Sequence, residues 1–360
     1  YIEFLPQNEQ IVCLDENWQE RLTKENLPEL YANQEKPDID SLAYCVMTSG
    51  TTGEPKGIIC PHRGAVNSYY WRYNYYPYQE NEREACNVFF VWEAVRALLQ
   101  GFPTYVIPDS SIYDPWKLVS FLEGHKITRV LFTPSLLEQI LNTPNLDLTN
   151  RLSGLKIVWL NGEVVPTTLK NRFFEVFPDC KLLNDYSVSE THDICTYDLA
   201  LLDERYSPKF SSVGKPMSNV SIYLLDEEQN PVPQGVSAEI YVAGNSLARG
   251  YLGDKEKTDE RFVKDTIKND GSIMFRSGDA GRFLPNVELE IKGRIEFMIK
   301  LRGYTVVPGA VEAAINDHSA INACVVVTKD NPETKQPDAL VAYLVSNKSM
   351  EDNELIISFK

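Results

Sequence analysis

Between residues 41 and 186 the chain alternates short, continuous apolar runs with stretches whose apolar positions recur at helical spacing. The runs at residues 43–47, 104–107, 128–132, 156–160 and 180–183 are rich in Val, Ile, Leu and aromatic side chains and do not alternate with polar ones. That pattern suits parallel strands covered on both faces. Between them, Asp114 stands where a helix cap belongs, Pro115 at the first helical position and Gly124 just past the end, with Trp116, Val119, Phe121 and Leu122 as the apolar face. A second helix is predicted over residues 167–177. Alternation of this kind builds an α/β layered domain with right-handed crossovers.

After about residue 211 the pattern changes to hairpins: a strand at 220–225, turn residues Asn230-Pro231 and Gln234-Gly235, and a strand at 238–242. These predict a small antiparallel subdomain. From about residue 296 a hairpin (299–307), a helix (310–316) and a strand pair (323–328 and 339–345) predict the opening of a separate lid. The expected division is a core over residues 1–295, with its own start missing, and a partial α+β lid over 296–360.

Composition narrows the function. With 43% hydrophobic and 24% charged residues the chain has material for a core. A formal charge of −16, from 35 basic and 51 acidic side chains, argues against a nucleic-acid-binding surface, which needs clustered Lys and Arg. No apolar run approaches the roughly 20 residues that span a bilayer, and the opening Tyr1-Ile2-Glu3-Phe4-Leu5-Pro6 lacks the blocks of a signal peptide. A cytoplasmic protein without membrane contact is expected. The seven cysteines are odd in number and nowhere spaced as CxxC, which points to a reducing compartment and no zinc site.

The strongest chemical signal is Thr48-Ser49-Gly50-Thr51-Thr52-Gly53-Glu54-Pro55-Lys56-Gly57, directly after a predicted strand. Glycines let backbone approach an anion, hydroxyls and N–H groups donate to phosphate oxygens, and Lys56 adds positive charge. The spacing is not that of a Walker A loop. Four further segments follow: Asn184-Asp185-Tyr186-Ser187-Val188-Ser189-Glu190, Gly244-Asn245-Ser246-Leu247-Ala248-Arg249-Gly250-Tyr251, Arg276-Ser277-Gly278-Asp279, and Gly293-Arg294-Ile295-Glu296 with Lys300-Leu301-Arg302-Gly303. In these segments, and in their order, the chain resembles the adenylate-forming superfamily. Within it, the resemblance is to the adenylation domains of nonribosomal peptide synthetases and related carboxylate reductases.

The resemblance implies the adenylate-forming fold and an AMP-forming acid-activating enzyme that uses ATP and Mg²⁺. A small carboxylic acid would be adenylated and passed to the phosphopantetheine of a carrier-protein domain outside this chain, or to CoA in a free-standing ligase. A catalytically inactive nucleotide-binding domain is the reading from another class. By the same resemblance, Thr48, Ser49, Gly50, Thr51, Thr52, Gly53 and Lys56 would hold phosphates. Asn184, Asp185 and Tyr186 would line the nucleotide, with Tyr186 stacked on adenine and Asn184 near its exocyclic amine. Ser189 would touch the α-phosphate and Glu190 would hold Mg²⁺, for which oxygen ligands are expected. Asp279 would accept from both ribose hydroxyls, backed by Arg294; Arg302 would join Lys56 and Glu190 in catalysis, and Glu296 would be the hinge of the lid. Standing alone, Tyr186 reads as core, and Asp279 with Arg294 as a surface pair of little energetic value. The family's late glycine-lysine motif does not occur before Lys360, so the chain reads as an interior slice of a longer module, poorly active by itself.

The acid pocket implied by the resemblance comprises Val88, Phe89, Trp92, Leu131, Trp159, Asn161 and Asp193, with Asp185 beside it. Val88 stands where amino-acid-activating domains carry an aspartate for the substrate ammonium. Aromatic faces attract a cation that cannot donate hydrogen bonds, so a quaternary-ammonium acid such as glycine betaine fits. An aryl or aliphatic acid, or an amino acid bound through its side chain, remains an alternative. The aromatic run at residues 69–78 is expected to be helix packing followed by a loop.

Overall fold

The computed structural model of the protein describes residues 38–48, 56–87, 91–207 and 209–295, and beyond these 299–301, 304–306, 308–316, 321–330 and 337–346. Two compact units, Tyr1–Ser41 and Leu42–Lys360, divide the chain. The described part of the first is residues 38–41; everything below concerns the second.

Its centre is a six-stranded sheet in the order Thr104–Val106, Glu84–Cys86, Arg129–Phe132, Ile157–Leu160, Lys181–Val188, His192–Asp198. Every pair is parallel except the last. Four of the five apolar runs became strands of this sheet. The fifth, at residues 43–47, did not: Leu42–Thr48 pairs antiparallel with Lys56–Pro61, which in turn pairs with Gly250–Tyr251 in a separate three-stranded sheet. Leu42 and Met47 are exposed there. An apolar run tells that a strand forms and leaves its partner open: here the partner is the next strand in sequence, antiparallel, and not a parallel neighbour in the central sheet.

One face of the central sheet is covered by the helices Pro115–Gly124, Pro134–Asn142 and Thr167–Val176, around Val130, Phe132, Val158, Leu160 and Phe173. Asp114 caps the first of these, accepting from the N–H groups of Trp116 and Lys117. Gly124 is its last residue instead of lying past its end. Its buried face is Leu118, Val119 and Leu122, while Trp116 is exposed. Trp116 stands about 200° around the helix from Leu118 and so faces away from the sheet.

The opposite face carries Leu131, Ile157, Trp159 and Leu183, with Tyr76 packed against them. The helix His62–Tyr75 buries Gly64, Ser68, Tyr69 and Arg72. Three of those four repeat at a spacing of four, so a polar ridge faces inward. The aromatic run is thus helix to Tyr75 and loop after it, as expected.

The predicted hairpin is present: Val220–Leu225 pairs antiparallel with Ala238–Gly244. It belongs to a five-stranded sheet whose long strand, Ile273–Phe283, pairs with Ala238–Gly244, Phe262–Lys264 and Leu289–Arg294. Beyond it lie the hairpin of Ile299–Leu301 with Tyr304–Val306, the helix Pro308–Asn316, and the pair Ile321–Asp330 with Pro337–Ser346. Glu296, the expected hinge, lies outside the described residues. No helix among the described residues is long and apolar enough to cross a membrane.

Candidate active site

Strands of two sheets place the residues expected to bind nucleotide around one cavity of about 310 Å³, within the range of small-molecule sites. Asn184, Asp185 and Tyr186, from the last parallel strand, line it together with Asp279 and Arg294 from the five-stranded sheet. Asp279 and Arg294 face each other as register partners. Tyr186 Oη donates to Asp279 Oδ2 at 2.7 Å, and Arg294 Nη1 lies 3.4 Å from Asp279 Oδ1. Only 6% of Asp279 is exposed, so this is no surface pair. Burial pushes its carboxyl up, against the opposing pull of Tyr186 and Arg294. Burial, then the Asp279 charge, pushes the Tyr186 phenol well up and keeps it a donor.

The bend that presents Asp279 is held by convergent donors on one carbonyl. Arg261 Nη2 and Arg294 Nη1 both donate to Ser277 O, at 2.7 and 3.1 Å. Between them Gly278 has φ +75, and a Cβ there would stand 3.2 Å from Arg261 Nη2. Asn184 Nδ2 donates to the carbonyls of Ser211 and Ser212 at 3.2 and 3.0 Å. With its nitrogen so committed, Oδ1 is the atom free to accept from an amine.

The turn after this strand carries Ser189 and Glu190. Tyr251, from the three-stranded sheet, donates its hydroxyl to Glu190 Oε1 at 2.7 Å. One carboxylate with an oxygen to spare fits Mg²⁺ held mainly by substrate phosphates and water. Accordingly, no group of three or more His, Cys, Asp or Glu side chains able to cage a metal occurs among the described residues. Lys56 Nζ lies 2.7 Å from Asp254 Oδ2, and both side chains are partly exposed. Thr48 is the last residue of its strand, paired with Lys56. The rest of the phosphate loop, Ser49, Gly50, Thr51, Thr52 and Gly53, lies outside the described residues, as do Val88, Phe89 and Arg302.

Of the expected acid pocket, Leu131 and Trp159 are buried neighbours in one cluster. One expectation needs correction. Trp159 offers no open ring face to a substrate cation: it is 1% exposed, and the guanidinium of Arg72 lies 4.1 Å from its centroid. Asp185 and Asp193, the acids expected near the pocket, are buried. Both are ion-paired to that same Arg72, at 3.0 and 2.8 Å. Burial and the neighbouring Asp193 push the Asp185 carboxyl up; for Asp193 the upward push of burial is outweighed by Arg72, and it stays down.

Sequence reasoning passed over Arg72, Arg96, Arg261, Tyr251 and the segment Gly162, Glu163 and Val164, which lines the cavity opposite Tyr186's strand. Gly64, Ser68 and Arg72 recur at a spacing of four, which puts them on one face of the helix but does not tell that the face is buried.

Tyr186, Asp279 and Arg294, drawn from two sheets, thus meet at one cavity. The chain belongs to the family of AMP-binding enzymes, whose description matches residues 3–252. It is 43% identical over 315 residues to a glycine betaine reductase, ATRR, of Emericella nidulans, covering 86% of this chain and 24% of that protein. It is 32% identical over 320 residues to malpinin synthetase of Mortierella alpina, covering 86% of this chain and 4% of that one. The chain thus spans a quarter or less of the length of these curated relatives. Among solved structures, a four-domain nonribosomal peptide synthetase bound to AMP and glycine aligns with a TM-score of 0.73 at 24% identity, over 88% of this chain and 23% of that one. MatB of Rhodopseudomonas palustris, with ATP bound, aligns at 0.74 and 18% identity, over 90% of this chain and 62% of that one. The adenylate-forming fold is therefore this protein's fold.

Proposed function

We propose that this chain is the adenylation domain of a multidomain, peptide-synthetase-like enzyme that activates a small quaternary-ammonium acid such as glycine betaine. Its acyl group then passes to the phosphopantetheine thiol of a carrier domain. The observation that carries the nucleotide half is the cavity in which Tyr186, Asp279 and Arg294 meet. A substrate carboxylate oxygen attacks the α-phosphorus of ATP; the bond to the bridging oxygen breaks, and pyrophosphate leaves with the electron pair. Charge grows on phosphoryl oxygens, so fixed donors and a cation do most of the work. Lys56, Ser189 and the Thr48–Gly53 loop supply them, Glu190 would hold the Mg²⁺ that neutralises pyrophosphate, and Asp279 fixes the ribose. The thiol then attacks the acyl carbon and AMP departs.

For the acid, the similarity to a glycine betaine reductase and Val88 in place of an ammonium-binding carboxylate support the quaternary-ammonium reading. With the Trp159 face already covered, Phe89 and Trp92 are the aromatic residues left for that cation. The same covered face favours the second reading, a ligase for an aryl or aliphatic acid bound without a cation site. Acid-dependent pyrophosphate–ATP exchange with the full-length protein separates them: exchange with betaine and not with glycine or benzoate supports the first, and the reverse retires it.

A further inference from the structure

Arg72 has no assigned role, yet it touches Trp159, Asp185 and Asp193 of the proposed acid pocket. From the inward ridge of the helix His62–Tyr75, its Nε donates to Asp193 Oδ2 at 2.8 Å and its Nη2 to Asp185 Oδ2 at 3.0 Å. Its Cζ lies 4.1 Å from the Trp159 ring centroid. Asn161 joins the same group, donating to Asp185 Oδ2 at 2.7 Å, and Ser68, one helical turn before Arg72, donates to Asp193. Behind it, Arg96 pairs with Glu84 and Glu93, with its Cζ 5.6 Å from Trp159. Arg72 is 2% exposed, and its Nη1 has no hydrogen-bond partner.

A planar guanidinium reaches two carboxylates and an indole face at once, and an ammonium cannot. Its position has two effects on a ligand. The two acids are shielded, so a cationic group deep in the pocket finds no free counter-charge. The ring face and the volume in front of it are filled.

We infer that Arg72 is a specificity-determining residue of the acid pocket, which closes the wall formed by Trp159, Asp185 and Asp193 so that only a short acid is accepted. The inference rests on the acid-pocket assignment proposed above. It differs from that reading in concerning length and not charge.

The test measures pyrophosphate–ATP exchange in the full-length protein with two acid pairs. One pair is glycine betaine and 4-(trimethylammonio)butanoate, the other propanoate and hexanoate. The readout is the ratio of kcat/KM for the long acid to that for the short one. A packing defect lowers both members together and leaves the ratio alone. Arg72→Met combined with Asp193→Asn removes one charge of each sign; it should raise the ratio at least tenfold in whichever pair the wild type accepts. Arg72→Lys keeps charge but loses the fork and the flat stack, and should raise it at least threefold. A ratio within twofold of wild type in the folded double variant overturns the inference. Should the double variant not fold, the same result in Arg72→Lys overturns it. A wild type that exchanges with the uncharged pair alone retires the quaternary-ammonium reading and still reports on Arg72 through its own ratio.

Discussion

In the proposed ribose role Asp279 would meet two demands with one carboxylate: buried enough to exclude water, it must stay ionised to accept. Hydrogen bonds to charged groups are worth about 1.5–3 kcal/mol each, so Asp279→Ala should weaken ATP binding at least tenfold by calorimetry, and equal affinity would remove the residue from the site. Because burial raises its pKa, affinity should begin to fall, as pH is lowered, above the ordinary carboxylate range of about 4. His192 shows the opposite sign. It is 3% exposed, and burial lowers its pKa from 6.5 to about 4. Unfolded protein therefore binds a proton through that window while folded protein does not. Its contribution is fully present above pH 6.5 and is lost as pH falls toward 4, amounting to roughly 3 kcal/mol. Urea titrations across that window should show a shallower pH dependence in His192→Gln than in wild type.

At the scale of elements, the two-residue strand Gly250–Tyr251 ties the strand Lys56–Pro61 to Glu190, the proposed Mg²⁺ ligand. Gly250 has φ +138, and a Cβ there would stand 2.4 Å from Thr258 Cγ2. Gly250→Ala should cost roughly 1–3 kcal/mol in backbone strain alone. It should also loosen Tyr251 from Glu190, so that ATP binding loses part of its Mg²⁺ dependence; an unchanged denaturation midpoint and unchanged Mg²⁺ titration would contradict this. Elements were legible where the signal is local. The cap at Asp114 with Pro115 behind it, the hairpin turn residues and the buried strand runs all depend on near neighbours. Residues 43–47 were the exception: their run suits a parallel strand, yet they pair antiparallel with the next strand, Lys56–Pro61, in a sheet whose third strand, Gly250–Tyr251, comes from some two hundred residues away.

For the whole molecule, nucleotide binding and stability are linked. The cavity draws side chains from two sheets, so a nucleotide held there would bind the folded chain and not the unfolded one. At a hundredfold excess over Kd this adds about 2.7 kcal/mol. Calorimetric melting should rise accordingly in wild type and much less in Asp279→Ala at the same concentration; equal shifts would place the nucleotide elsewhere.

The sequence by itself determined the family, because glycines, hydroxyls and charges at fixed spacing in a short segment leave few other uses. Tyr186 could be named from its motif, as could Asp279 and Arg294 some hundred residues later, and they do meet. Only the tertiary structure decided the state of the acid pocket. Whether Trp159 presents an open face or a covered one depends on a guanidinium eighty-seven residues earlier, on a helix whose aromatic run gives no local reason to bury a charge. Asp185 and Asp193 read as pocket acids until that cation is in place. A buried charge is set by the partner that folding brings to it, and no spacing along the chain records that partner.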